Sequence, residues 1–108
     1  MKLYRIRRKA DDKFFVNWKA VWNPKWAGVA YYSDSGVFFK RIDTVTKHLK
    51  MMCCDWEFRP CKDRLYMREL IMGKFHRSRL KNYEIVISDV SINGEEVIQA
   101  KDLMREVK

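Results

Sequence analysis

At 108 residues the chain has room for one domain and one hydrophobic core, and its 47% hydrophobic and 14% aromatic content excludes intrinsic disorder despite a net charge of +9. The longest apolar runs span only a few residues, too short for a membrane-crossing helix, and Arg5, Arg7 and Arg8 fall where a signal peptide needs its apolar stretch. These features lead to the expectation of a cytoplasmic, basic protein.

Lys2–Arg8 alternates, with Leu3, Arg5 and Arg7 on one side and Tyr4, Ile6 and Arg8 on the other. The pattern predicts a strand with Tyr4 and Ile6 inward, the stems of Arg5 and Arg7 covering apolar surface at its edge. Lys9-Ala10-Asp11-Asp12 supplies turn residues, and Lys13–Trp18 resumes the alternation with Phe14, Val16 and Trp18 on one face. A hairpin follows. Asn23-Pro24 interrupts the next segment, because Pro24 lacks a ladder donor and biases Asn23 away from helix. Trp26–Tyr32 reads as a third strand, and Ser33-Asp34-Ser35-Gly36 as a turn in which Gly36 suits a positive φ.

Between Gly36 and Met52 the hydrophobic period changes. Val37, Phe38 and Phe39 are strand formers, Asp43 is placed to cap a helix, and Val45, Leu49 and Met52 recur at i, i+4, i+7. A strand running into an amphipathic helix is predicted, its stripe closing one face of the sheet. Trp56-Glu57-Phe58-Arg59 alternates briefly before Pro60 and fits a short strand or a loop. Asp63 reads as the cap of a second helix, with Leu65, Tyr66, Leu70, Ile71 and Met72 apolar and Gly73 at its end. Lys74–Lys81 is the densest positive segment. Tyr83–Val90 returns to strand character, Asn93-Gly94 is a hairpin dipeptide, Val97-Ile98 a short strand, and Ala100, Leu103, Met104 and Val107 mark a terminal helix. The expected fold is α+β over residues 1–108 as a single domain, an antiparallel sheet of four or five strands with two or three helices packed mainly on one face.

Charge is uneven along this order. Residues 1–40 and 41–82 each carry a net +6 and residues 83–108 a net −3, so an acidic terminal segment follows a basic body.

The succession Tyr4-Arg5-Ile6-Arg7, Lys13-Phe14, Gly36-Val37-Phe38, Val45-Thr46-Lys47-His48-Leu49 and Asn82-Tyr83-Glu84-Ile85-Val86 resembles a family of small tailed-bacteriophage proteins. Those proteins open on a Tyr-x-Ile-Arg strand, pass through a Gly-x-x-aromatic strand into a helix ending near His-Leu, and finish on a Tyr-Glu-Ile-Val strand. Relative to that pattern residues 53–81 read as an insertion, and the Gly-Gly turn often seen after the second strand is missing. The resemblance implies a phage accessory protein working in the cytoplasm of an infected bacterium, and it transfers no catalytic residues.

The functional signal in the residues themselves is a basic, aromatic-rich surface. Arg and Lys neutralise phosphates, and exposed rings stack bases. Candidate binding residues are Arg5, Arg7, Arg8 and Lys9 in the first hairpin, Lys19, Trp22, Lys25 and Trp26 around Pro24, and Lys74, Arg77, Arg79 and Lys81 in the basic run. Trp22, Trp26, Tyr31, Tyr32 and Trp56 exceed what one small core needs and also suit a protein interface. Cys53, Cys54 and Cys61 with His48 and His76 lack the paired spacing of a zinc site, so reduced thiols and no cofactor are expected. Asp11-Asp12 reads as a turn and Glu95-Glu96 as the exit from Asn93-Gly94, rather than as paired catalytic carboxylates. The reading is a non-enzymatic accessory protein that binds a host nucleic-acid-handling or defence system stoichiometrically; the alternative is a direct DNA- or RNA-binding protein.

Overall fold

The computed structural model describes residues 1–18, 30–61, 64–89 and 94–106. Their elements are β1 (Lys2–Arg8), β2 (Lys13–Trp18), β3 (Ala30–Ser33), α1 (Ile42–Met52), β4 (Cys54–Cys61), β5 (Arg64–Phe75), a 3-10 helix (Arg77–Asn82), β6 (Tyr83–Asp89), β7 (Gly94–Gln99) and α2 (Ala100–Glu106). A five-stranded sheet in the order β3-β2-β1-β6-β7 and a two-stranded ribbon β4-β5, antiparallel throughout, make the fold α+β as patterned. Among the described residues no helix is long and apolar enough to cross a membrane.

β1 is the central strand. It pairs with β6 along its length, from Lys2↔Asp89 to Arg8↔Tyr83, but with β2 only at Arg7↔Phe14 and Arg8↔Lys13. Beyond that point the two strands part and the chain after Gly36 fills the gap. Tyr4 and Phe39 exchange both backbone hydrogen bonds (2.8 and 2.7 Å), and the Val37 N–H donates to the Phe15 carbonyl at 2.9 Å. The strand expected over Val37–Phe39 is therefore a wedge with one isolated bridge rather than a ladder member. Gly36 makes the turn into it at φ +72°, its N–H held by Ser33 Oγ at 2.9 Å.

The predicted face of β2 is corrected. Strict alternation groups Phe14 with Trp18, but a bulge between Phe15 and Asn17 inserts one residue, so Phe15 and Trp18 share the core side and Phe14 lies on the other. β3 pairs Tyr32 with Phe15 on one side of the bulge and Ala30 with Trp18 on the other. Ala30–Tyr32 thus keeps the predicted strand, while residues 26–29 lie outside the described part.

The helix prediction over the period change holds in its stripe and is corrected at its start. Val45 and Leu49 are fully buried and Met52 packs at the margin of the core. Arg41, not Asp43, occupies the N-cap, with no side-chain cap. Asp43 sits in the first turn, pairing with Arg41 at 2.8 Å, where a carboxylate complements the positive helix end. Ile6, Phe15 and Ile85 on the sheet meet Val45 and Leu49 of α1, Leu80 of the 3-10 helix, and Ala100, Leu103 and Met104 of α2. Each fully buried aliphatic side chain in this layer contributes about 1.5–3 kcal/mol.

The second helix predicted from Asp63 to Gly73 does not form; residues 64–75 are strand β5, paired with β4 from Cys61↔Arg64 to Cys54↔Phe75. Short apolar runs such as Leu70-Ile71-Met72 satisfy either period, and a facing strand decides between them. The alternation at Trp56–Arg59 was that partner's signal. At about 3.3 Å per residue, β5 extends roughly 40 Å, a length that only the 54 Å axis of the 54 × 27 × 25 Å molecule accommodates.

An aromatic cluster joins this ribbon to the body. Phe15 packs against Trp18, Tyr32, Phe39 and His48, and Trp18 meets Trp56 edge-on with centroids 6.1 Å apart. Within the cluster Trp18 Nε1–H donates to His48 Nδ1 at 3.0 Å, so the imidazole is neutral with its proton on Nε2. Burial, aided by Lys47, lowers the His48 pKa. As pH falls through the unfolded value near 6.5, unfolded chains bind a proton that folded His48 still refuses, and stability declines toward the lower folded pKa. Urea unfolding at stepped pH is expected to show this decline in the native chain and a shallower one in His48→Asn.

Candidate binding surfaces

Helices cover one face of the five-stranded sheet, and the arginines predicted from β1 lie mostly on the other. Arg5 rests against the rings of Phe14 (4.0 Å) and Phe38 (4.7 Å), its Nη1 donates to the Ser35 carbonyl at 3.2 Å, and its Nη2 pairs with Glu95 at 3.0 Å. Arg7 Nε donates to Glu84 at 2.6 Å, and Gln99 donates to the other Glu84 oxygen at 3.4 Å. Arg8, at the turn, grips Asp11 with two hydrogen bonds (3.0 and 2.6 Å) over the Tyr32 ring. This grip holds the Asp11 carboxyl down to about 2. The three β1 arginines are therefore spent on internal carboxylates.

That arrangement follows from the acidic terminal segment. β6 and β7 bring Glu84 and Glu95 across the sheet to Arg7 and Arg5, so the charge asymmetry of the sequence becomes a set of cross-strand pairs. What the open face then presents is largely neutral: Tyr31, Phe38 and Val97 are each almost half exposed, at 48%, 47% and 47%. Phe38 and Val97 escaped the sequence reading. The Phe38-Phe39 doublet carried the signal, since neighbouring positions in extended chain face opposite ways and Phe39 goes to the core.

The basic run divides differently. Arg79 reaches back to the root of the ribbon, with Nη2 3.1 Å from Asp55 Oδ1, while His76 Nε2 meets Asp55 Oδ2 at 2.7 Å. The His76 ring, and then Arg79, hold the Asp55 carboxyl below its usual range. Arg79 is thus a structural clamp. Lys74, Arg77 and Lys81 are exposed. The 3-10 helix that carries the last two is pinned at both ends: His76 N–H donates to the Cys53 carbonyl at 2.7 Å, and the Asn82 carbonyl accepts from Lys9 N–H at 2.9 Å. The second bond sets the Lys81 end of the basic run beside the β1–β2 turn with its exposed Lys9 and Lys13.

Lys19, Trp22, Lys25 and Trp26 lie outside the described residues. Tyr32 and Trp56, counted as possible interface aromatics, instead belong to the Phe15 cluster or its border. Cys53 and Cys54 are buried free thiols, and burial pushes Cys53 up to about 11, far from a reactive thiolate.

Among the described residues, the fold and its surfaces define an α+β protein with one helix-covered sheet face, one open and largely neutral face, and a separate basic rim. No family model, curated protein or solved structure matches the chain.

Proposed function

We propose that the protein acts without catalysis, as a phage-type accessory factor that binds a host nucleic-acid-handling or defence complex stoichiometrically, with the open sheet face as its protein-binding surface. One observation carries the reading: Tyr31, Phe38 and Val97 stand exposed on a face whose arginines are already neutralised by Glu84 and Glu95. Protein interfaces are enriched in aromatic residues and Arg, and depleted of free charge at their centre. An arginine already paired inside one partner brings its flat guanidinium and bound rings to the interface without a new unpaired charge to bury. The resemblance to small phage proteins supplies the setting, and occlusion of a host complex is a task that needs only such a surface.

The test is affinity capture from a bacterial lysate, followed by reconstitution with the purified captured protein and titration to a stoichiometric endpoint. Phe38→Ser and Val97→Asp should each weaken the reconstituted complex, Phe38→Ser by about thirty-fold, the effect of losing one aromatic hot spot of ~2 kcal/mol. Unchanged affinity in both variants would overturn the assignment of this face.

A further inference from the structure

We infer that the 3-10 helix and the β1–β2 turn form a second surface that holds the phosphate backbone of a nucleic acid, through Lys9, Lys13, Lys74, Arg77 and Lys81, without reading base sequence. Lys9 and the Lys74–Lys81 run are far apart in sequence, and the Lys9 N–H bond to the Asn82 carbonyl sets the turn against the Lys81 end of that run. All five side chains are exposed. Among the described residues none of the five has a carboxylate within ion-pair distance, in contrast to Arg5, Arg7, Arg8 and Arg79. Asp11 in the same turn is cancelled by Arg8, and exposed Asp12 subtracts one charge from the rim.

The composition of the rim selects the partner. Leu80 points into the core with no exposure and Arg79 is turned onto Asp55, which leaves Arg77, Ser78, Lys81 and Asn82 as the outward residues of the 3-10 helix. A membrane-surface segment needs apolar side chains to bury among lipids, and this one turns none outward. A protein interface disfavours Lys and Ser at its centre, whereas a phosphate backbone is met by Lys, Arg, Ser and Asn together. Arg77 lies 5.9 Å over the half-buried Phe75 ring, which steadies its stem while the charge stays in water. With no exposed ring on the 3-10 helix, base stacking adds nothing here. Affinity then comes from counterion release alone and is indifferent to sequence.

The rim uses residues other than those of the open face and needs no host protein, so this inference and the proposed function fail separately. The experiment is fluorescence anisotropy of the full chain with a labelled single strand and a duplex of scrambled sequence, across a salt series. If all five cations engage, log Kobs should fall against log salt with a slope of about −3.5 on the single strand and about −4.5 on the duplex. The triple change Lys9→Gln, Arg77→Gln, Lys81→Gln should reduce the steepness by about 2–3. Arg79→Gln, whose guanidinium serves Asp55, should leave the slope unchanged. A triple variant that keeps the native slope would overturn the assignment. So would stronger binding to phosphatidylserine vesicles or to polyglutamate than to DNA at equal salt.

Discussion

Replacing Phe15 by alanine is expected to lower the unfolding free energy by about 3–5 kcal/mol, a large part of the 5–15 kcal/mol typical of a domain. Phe15 is 1% exposed and is the hub of the aromatic cluster, with ring centroids of Trp18, Tyr32, Phe39 and His48 at 5.4, 6.3, 6.1 and 5.1 Å. These four neighbours come from β2, β3, the wedge after Gly36 and α1, so the cavity left by alanine opens between four separate pieces of chain. They cannot collapse together without moving the sheet against the helix. The loss should appear as a lower urea midpoint with an unchanged slope and a shifted tryptophan emission, since Trp18 is in direct contact. A loss below about 1 kcal/mol would show that the cluster does not depend on this ring.

Gly36→Ala is expected to cost about 2–5 kcal/mol, from two sources that act together. A side chain at φ +72° carries a penalty of roughly 1–2 kcal/mol. The new Cβ would also stand 2.3 Å from the Phe14 Cβ and 3.2 Å from the Phe15 carbonyl oxygen, atoms close to or in the backbone that cannot swing aside. Overpacking of that kind costs about 1–3 kcal/mol. Relief requires the wedge to withdraw from between β1 and β2, which releases the Tyr4–Phe39 bridge and moves Phe38 off Arg5. Gly94→Ala is the internal control: a Cβ there meets nothing within 4 Å, and its stability should stay within about 0.5 kcal/mol of the native chain. Equal effects at the two glycines would refute the wedge as a tight fit.

Several elements were legible from local pattern. β1 alternates, β6 is rich in strand formers, Val97-Ile98 marks part of β7, and the Val45/Leu49/Met52 stripe suits a helix. Where prediction failed, a partner distant in sequence had decided the matter. β5 is a strand because β4 faces it, and Phe15 replaces Phe14 in the core because one extra residue at the bulge shifts the register against β3. Neither the facing strand nor the inserted residue leaves a mark in a single segment's composition.

The candidate surfaces divide along the same line. Composition and order alone determined that the protein is basic, that its cations gather in the first hairpin, around Pro24 and in Lys74–Lys81, and that residues 83–108 are acidic. Only the tertiary structure decided which cations are available. Pairing of β1 with β6, and of β6 with β7, places Glu84 and Glu95 within reach of Arg7 and Arg5, and the return of the chain from β5 sets Arg79 against Asp55. The 3-10 helix meanwhile brings its Lys81 end beside Lys9, and among the described residues no carboxylate forms an ion pair with Lys9, Arg77 or Lys81. A charge becomes available or spent according to its neighbour in space, and that neighbour is set by strand register and loop closure rather than by the residues beside it in the chain.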